Sequence, residues 1–269
     1  MQTKRKTLDE PFHVKILDTA RKESWVQSVS FDNPFFDELA KYPVRFSTPV
    51  FFGDSPFASY SAALRNGTGS LLKLKDKYLG VTCEHVLRQY RRLKEAQTVF
   101  HFGRIEINPE ECLISENRDY DLVVFDLTRF VGAVSDFTGA KFVYPTAWPP
   151  RGVSREDVIC LGGFPGIWRE QINLGHLRFY SFSSGAGQVH AVGEHHLMTR
   201  FEVDKCVTQF NNGLVLGSLG GLSGGPVFVW RKEAILTAEL VGFISEYQTD
   251  YDLMRVTSAN LIQDNGSLV

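Results

Sequence analysis

The residues best suited to chemistry lie in a glycine-rich stretch at positions 217–229, GSLGGLSGGPVFV. Five glycines and one proline surround Ser223, and an apolar, β-branched run follows. This pattern predicts an irregular loop that leads into a buried strand. A serine in such a loop can present its hydroxyl beside backbone N–H groups, which supplies acyl transfer with a nucleophile and with donors for the developing oxyanion. The alternative is a connection between strands in which the serine is incidental.

A histidine and an aspartate occupy similar strand ends. His85 follows a strand pattern at residues 78–82 and opens a short helical pattern that extends to about residue 92. Asp121 opens the apolar run 121–127, where a carboxylate needs solvent or a hydrogen-bonding partner. Taken singly, His85 is more simply explained as a structural histidine, and Asp121 as a turn residue at the start of a strand.

His85, Asp121 and Ser223 together form a set that can perform nucleophilic acyl transfer. An imidazole can take the serine proton, and a carboxylate fixes the imidazole tautomer. Residues 221–225, GLSGG, also match the nucleophile elbow of α/β-hydrolases, in which the histidine follows the serine. Here no histidine occurs after His196, so that fold is excluded.

Composition excludes several other classes. The formal net charge of −2 gives no basic field for nucleic acid, and no run approaches the ~18 apolar residues of a membrane span. Because the N-terminus lacks a secretory h-region, we expect a cytoplasmic protein with free buried thiols. The cysteines have no CxxC spacing, and His190, His195 and His196 with Glu194 match no ligand pattern. We therefore expect neither a metal nor a cofactor.

Short strand patterns with turn residues between them dominate the chain, and this predicts an all-β fold. Helices are predicted only at residues 33–42, after residue 83 and at residues 258–263. Residues 147–152 are predicted to link two halves of the chain. The strands are predicted at residues 69–74 and 78–82 as a hairpin, and at 98–102, 111–114, 121–127, 158–165, 177–182, 188–192, 197–203 and 239–247.

Four motifs resemble those of the trypsin-like serine peptidases of chymotrypsin fold, most closely the bacterial intracellular members. They are residues 82–86 (TCEHV), 121–124 (DLVV), 221–227 (GLSGGPV) and 240–245 (LVGFIS). The resemblance covers about residues 48–255 and implies two packed antiparallel β-barrels with the active site between them. The expected organisation is an N-terminal extension at 1–47, a first barrel at 48–146, and a second barrel with a C-terminal helix at 147–269.

The resemblance also implies residue roles: Ser223 as nucleophile, His85 as general base, Asp121 as its orienting group, and the N–H groups of Gly221 and Ser223 as the oxyanion hole. Ser245, Glu246 and Tyr247 would pair with the substrate backbone, and Gly217 would form the base of the primary specificity pocket.

Departures from the family pattern bear on specificity and control. Leu222 replaces the aspartate that pairs with a newly cut N-terminus, so activation by cleavage is not expected. Gly217 replaces the acid that selects Lys or Arg, and Tyr247 can narrow the pocket, so we expect a small or uncharged residue before the cut. Cys83 and Glu84 replace small residues before the histidine.

The leading hypothesis is a serine endopeptidase that acts on a polypeptide substrate without a cofactor. The same hypothesis allows a regulatory protein as a further partner. The runner-up is a catalytically idle binding or scaffold protein of peptidase fold, its cleft blocked by the N-terminal extension or by Tyr247. Hydrolysis of a non-peptide ester uses the same three residues and is a third hypothesis.

Overall fold

A computed structural model describes residues 34–54, 64–93, 98–138, 140–173, 176–200 and 219–269 of this 269-residue chain. Gly217, the residue expected at the base of the specificity pocket, lies outside the described residues. Seven described strands precede the predicted link at 147–152 and eight follow it. The domain boundaries themselves stay a prediction.

The N-terminal half is one antiparallel sheet that curls as a half barrel. Its strands are β1 (Ser47–Asp54), β2 (Arg65–Leu74), β3 (Lys77–Thr82), β4 (Thr98–Phe102), β5 (Ile105–Ile107), β6 (Leu113–Asn117) and β7 (Leu122–Asp126). They pair in the order β5-β4-β1-β2-β3-β7-β6. The predicted hairpin of β2 and β3 is confirmed, with Lys75 in the turn at φ 46°.

The C-terminal half closes into a six-stranded antiparallel barrel in the order β11-β12-β15-β14-β13-β8. A ribbon of β9 and β10 forms a separate pair. The strands of this half are β8 (Val158–Gly163), β9 (Arg169–Asn173), β10 (His176–Phe179), β11 (Phe182–Val192), β12 (His196–Arg200), β13 (Pro226–Lys232), β14 (Leu236–Gln248) and β15 (Leu253–Ser258).

Four α-helices are described: α1 (Pro34–Lys41), α2 (Glu84–Leu93), α3 (Pro109–Cys112) and α4 (Val131–Thr138). The helices α1 and α2 confirm two of the predicted helices. The predicted helix at 258–263 is wrong in type, because the chain there forms only a 3-10 helix at Ala259–Leu261. It ends there because Ile262 is extended and pairs with Leu268.

Three strand predictions also differ from the structure, and one of them, at 177–182, is divided between β10, which ends at Phe179, and β11, which begins at Phe182. Residues 111–112 end α3 instead of opening a strand, since Asn108 caps that helical turn by accepting from Glu110 N. Residues 188–192 belong to the longer β11, which pairs with β8 as far as Gln188 and with β12 from Val189 and so continues without a break.

The described part of the N-terminal extension packs against the C-terminal barrel. Ala40 is buried, and the Tyr42 ring lies 5.2 Å from that of Phe228 and 5.4 Å from that of Trp230. Burial raises the pKa of the Tyr42 hydroxyl, and Cys160 adds to the effect. These contacts tie residues 34–46 to the barrel.

The fold is all-β, as predicted, with the two-barrel architecture of chymotrypsin-like proteins. Apolar side chains of both halves meet in a shared core, where Leu79 and Val124 of the sheet join Phe228 and Phe243 of the barrel. Among the described residues, no helix has the length and apolar character needed to cross a membrane.

Candidate active site

The structure brings His85 and Asp121 into direct contact. The strand β3 ends at Thr82 and α2 begins at Glu84, so His85 lies in the first turn of that helix. Its Nδ1 lies 2.7 Å from Asp121 Oδ2, and its backbone N–H donates to Asp121 Oδ1 at 2.9 Å. One carboxylate therefore fixes both the backbone and the ring of the histidine.

This contact determines the histidine tautomer. A carboxylate accepts hydrogen bonds, so the ring proton of a neutral His85 belongs on Nδ1. Nε2 is then left with a free lone pair that can accept a proton.

Asp121 reaches His85 from a tight turn before β7. Its φ of 52° is left-handed, a conformation that aspartate tolerates better than most residues. The Asn117 side chain holds this turn by accepting from the N–H groups of Asp119 at 2.9 Å and Tyr120 at 3.1 Å. Asp121 N also donates to Arg118 O.

Ser223 lies in the loop before β13, and the opposite sheet holds that loop in place. Thr68 N donates to Ser223 O at 2.8 Å, and Thr68 Oγ1 donates to Gly221 O at 2.7 Å. Ser70 Oγ donates to Gly224 O at 2.7 Å. Because β2 pairs with β3, which leads to His85, these bonds fix the serine loop relative to the histidine.

Two peptide groups of the loop have a defined orientation. Gly166 N donates to Gly220 O at 2.7 Å, and Gly225 N donates to Leu222 O at 2.8 Å. The C=O and N–H of a trans peptide point in opposite directions, so the N–H groups of Gly221 and Ser223 point away from these anchors. Within the described part of the chain, neither N–H has an acceptor.

The loop needs its glycines because the backbone is crowded there. Gly224 has φ 90°, and a Cβ on it would lie 2.2 Å from Thr68 O. Gly221 has φ 100°, and a Cβ on it would lie 2.6 Å from Phe164 O. Both positions combine a left-handed conformation with close backbone approach, which only glycine accommodates.

One cleft of about 700 Å³ lies between the two halves and brings together six of the predicted residues, while Gly221 is not among the residues that line it. The sheet half contributes His85, Arg88, Arg118, Tyr120 and Asp121, and the barrel half contributes Leu219, Gly220, Ser223, Ser245, Glu246, Tyr247 and Arg255. Sequence reasoning missed the three arginines and Tyr120. Only Tyr120 had a local signal, since it stands beside Asp121 in the acidic turn.

Ser223 and His85 share this cleft without a direct bond. Across the residues that the structure describes, no hydrogen bond joins Ser223 Oγ to His85. Catalytic hydrogen bonds are often long in the absence of substrate and tighten in the reacting complex, so a catalytic pair does not require this bond in the free protein.

The strand predicted to receive substrate also borders the cleft. Ile244, on β14, accepts from Gly224 N at 2.7 Å and donates to Gly225 O at 2.8 Å, so β14 is bonded directly to the serine loop. The next three residues line the cleft. Ser245 is buried, Glu246 is exposed, and Tyr247 donates its hydroxyl to Asp252 at 2.8 Å.

A metal is not expected at this site on chemical grounds. Donor atoms of Cys83, His85 and Asp121 lie within 4.8 Å of one another. Burial, and then the Asp121 charge, raise the pKa of the Cys83 thiol well above its usual value, which disfavours the thiolate that metals bind. The thiol donates to Ile244 O, and both Asp121 oxygens already accept from His85.

The fold and cleft define a chymotrypsin-like two-barrel protein. Neither a family model nor a curated protein matches the sequence. Solved structures that are similar include a thermostable serine protease, AL20, from an extremophilic microorganism, with 14% identity, TM-score 0.43 and coverage of 80% of this chain and 91% of that one.

Two structures of tobacco etch virus protease are also similar. The catalytically inactive form in complex with substrate has 14% identity and TM-score 0.42, and covers 81% of this chain and 80% of that one. The active form in complex with product has 13% identity and TM-score 0.43, and covers 87% of this chain and 79% of that one.

Proposed function

We propose that this protein is a serine endopeptidase with Ser223 as nucleophile, His85 as general base and then acid, and Asp121 as the group that orients His85. The observation that carries the proposal is the pairing of His85 with Asp121 in the same cleft as Ser223. The lone pair on His85 Nε2 is free to take a proton, which a serine needs to lose as it attacks.

In the acylation step, Ser223 Oγ attacks the substrate carbonyl carbon while His85 Nε2 takes the hydroxyl proton. The carbonyl oxygen becomes negative, and the imidazolium is stabilised by the Asp121 carboxylate. His85 then gives the proton to the leaving nitrogen, the C–N bond breaks, and an ester on Ser223 remains. Water attacks this ester by the reverse proton sequence and regenerates the hydroxyl.

The N–H groups of Gly221 and Ser223 are proposed to bind the negative oxygen. Their orientation, set by the anchored carbonyls of Gly220 and Leu222, leaves both donors available. In enzymes of this type each such donor contributes ~10²–10³ in rate. Because the sheet and the barrel hold the loop from both sides, the donors need little reorganisation when charge develops.

The substrate is proposed to be a polypeptide laid along Ser245, Glu246 and Tyr247. Cleavage after Lys or Arg is not expected, because Arg118 and Arg255 line the cleft without an ion pair to a carboxylate among the described residues and repel a cation. Leu222 is buried in the barrel core, where it has no charge to pair with a new N-terminus. We therefore propose that activity does not require N-terminal cleavage.

Labelling with a fluorophosphonate probe tests this assignment. Wild-type protein should be labelled and should cleave peptide, while Ser223→Ala should abolish both. Ser154→Ala, which changes an exposed serine of a turn, is the matched control and should keep both. Undiminished labelling of Ser223→Ala would contradict the assignment, and turnover of simple esters without cleavage of any peptide would favour an esterase.

A catalytically idle peptide-binding protein is the second candidate. The missing hydrogen bond between Ser223 and His85 in the described residues favours it. The described part of the N-terminal extension packs on the barrel and does not line the cleft, whereas Tyr247 lines it and is the candidate for a block among the described residues. Peptide binding without probe labelling would identify this function.

A further inference from the structure

The cleft contains more positive charge than its own carboxylates neutralise. Its cations are Arg88, Arg118 and Arg255, from α2, the turn before β7 and β15. Its carboxylates are Asp121, whose two oxygens are occupied by His85, and Glu246, which is exposed. Glu246 stands opposite Arg255 in the register of β14 and β15, but among the described residues no hydrogen bond or ion pair joins the two side chains.

The three arginines differ in their own partners. Arg88 Nη1 lies 2.9 Å from Glu84 Oε2, so an adjacent carboxylate largely neutralises it. Within the described parts of the chain, neither Arg118 nor Arg255 has an ion pair with a carboxylate. Arg118 is exposed, whereas Arg255 is only partly exposed and so interacts more strongly with a bound charge.

Arg255 is also held in position. Its Nη2 lies 2.5 Å from His196 Nε2, at the start of β12. A guanidinium can only donate, so His196 must be neutral and must accept through Nε2. Burial, with the charges of Arg255 and His195, lowers the pKa of His196, which agrees with a neutral ring. The contact occupies one of five N–H donors and leaves a fork for another acceptor.

We propose that the substrate segment bound in this cleft is acidic and that Arg255, oriented by His196, binds the carboxylate nearest the scissile bond. The inference rests on the proposed peptidase function and replaces the expected preference for a small or uncharged residue. A planar guanidinium matches a carboxylate in bidentate geometry, and a partly buried, unpaired cation is stabilised by such a ligand. Arg118, at the exposed side of the cleft, favours a second acidic residue.

The test compares matched fluorogenic peptides that carry Glu or Gln at each position flanking the cleaved bond. We expect at least one position at which Glu raises kcat/KM by tenfold or more, with a preference that weakens as NaCl is added. Arg255→Gln should bring the Glu/Gln ratio towards one, Arg255→Lys should keep part of it, and Arg255→Glu should reverse it. Arg104→Gln, an exposed turn arginine outside the cleft, should retain the wild-type ratio.

Fluorescence anisotropy measures peptide binding to Ser223→Ala and separates the two proposals. If the wild-type protein takes no fluorophosphonate label but the variant binds the Glu peptide tenfold more tightly than the Gln peptide, the peptidase proposal fails and the acidic preference stands. If it is labelled yet treats the Glu and Gln peptides equally at every position, or prefers Lys, the acidic preference is overturned while the peptidase proposal stands.

Discussion

At the scale of single residues, Asp121 has two tasks that depend on its two oxygens. Oδ1 accepts from the His85 backbone and so positions the first turn of α2, while Oδ2 accepts from the ring and fixes the proton on Nδ1. A carboxylate performs both because each oxygen is only an acceptor. An amide side chain of the same size has one acceptor oxygen and one donor nitrogen, so it can satisfy only one of these contacts.

Asp121→Asn should therefore lower kcat by about 10⁴-fold with little loss of folded structure. The amide oxygen can still accept from His85 N, but the amide nitrogen then faces Nδ1 and drives the ring proton to Nε2, where it blocks proton transfer from Ser223. Steady-state peptide cleavage and the rate of fluorophosphonate labelling measure the effect, and circular dichroism checks the fold.

Asp119→Asn is the matched control, because Asp119 is an exposed neighbour in the same turn that does not contact His85. It should keep activity within about twofold. A loss of similar size in both variants would mean that the charge of the turn matters and the contact with His85 does not. An Asp121→Asn protein of full activity would remove Asp121 from the mechanism.

At the scale of elements, β2 is the strand that relates the serine loop to the histidine. Thr68 makes three hydrogen bonds to the C-terminal half: its N–H donates to Ser223 O, its Oγ1 donates to Gly221 O, and the same Oγ1 accepts from Phe164 N at 2.9 Å. The residue is buried. A single hydroxyl thus connects β2 with the serine loop and with the turn after β8.

Thr68→Val should weaken both stability and catalysis. The two side chains have similar shape, but valine leaves Gly221 O and Phe164 N unpaired in a buried site, at a cost of about 1–3 kcal/mol in the free energy of unfolding. The peptide that lies between the two proposed oxyanion donors also loses an anchor, so kcat should fall by up to ~10²-fold with a smaller change in KM. Urea unfolding and peptide kinetics measure the two effects.

Thr237→Val, in the half-exposed start of β14, controls for the substitution itself and should change stability by less than about 0.5 kcal/mol. If Thr68→Val lost stability but acylated at the wild-type rate, the loop geometry would not depend on this hydroxyl.

The sequence predicted those parts of the structure that local patterns encode. The hairpin of β2 and β3, the helix after residue 83 and the all-β class follow from turn residues and hydrophobic alternation. The glycine loop around Ser223 was visible because its crowding demands glycines in series. The 3-10 helix at Ala259–Leu261 was not predicted, because the extended pairing of Ile262 with Leu268 depends on tertiary contacts.

The arginines of the cleft show why the rest of the site was missed. Arg255 lies in an ordinary alternating strand, and its role depends on β12 bringing His196 beside it, a contact between residues 59 positions apart. The histidines near residue 195 match no ligand pattern in the sequence, yet His196 begins β12 and contacts Arg255. Pairing between distant strands carries no local sequence signal.

At the scale of the whole molecule, each half contains one histidine that is held in its neutral form. His101, in β4 of the sheet, stacks on Phe51 at 4.7 Å, and burial lowers its pKa despite the opposing charge of Glu106. His196, in β12 of the barrel, has its pKa lowered by burial and then by Arg255 and His195. Both rings resist protonation in the folded state.

Acid should therefore destabilise both halves. An unfolded histidine takes up its proton near pH 6.5, while these two folded histidines take it up only at lower pH. Below about pH 6.5 the unfolded state binds more protons, so the free energy of unfolding falls as pH falls, by up to about 1.4 kcal/mol per pH unit for each histidine. Urea unfolding between about pH 6.5 and pH 5 measures this slope.

The interval between about pH 6.5 and pH 5 lies above the pKa of Glu239, which among the described residues is the carboxylate with a clearly shifted pKa. Burial raises the pKa of Glu239, but hydrogen bonds from Arg151 N and Arg231 outweigh it and hold the pKa below its usual 4.5, so this group acts at lower pH.

His101→Gln and His196→Gln should each flatten the slope, and the double variant should flatten it most. His190→Gln, which removes an exposed histidine of β11, should keep the parent slope. A double variant with the parent slope would show that other groups take up the protons, and would also remove the support that a neutral His196 gives to the orientation of Arg255.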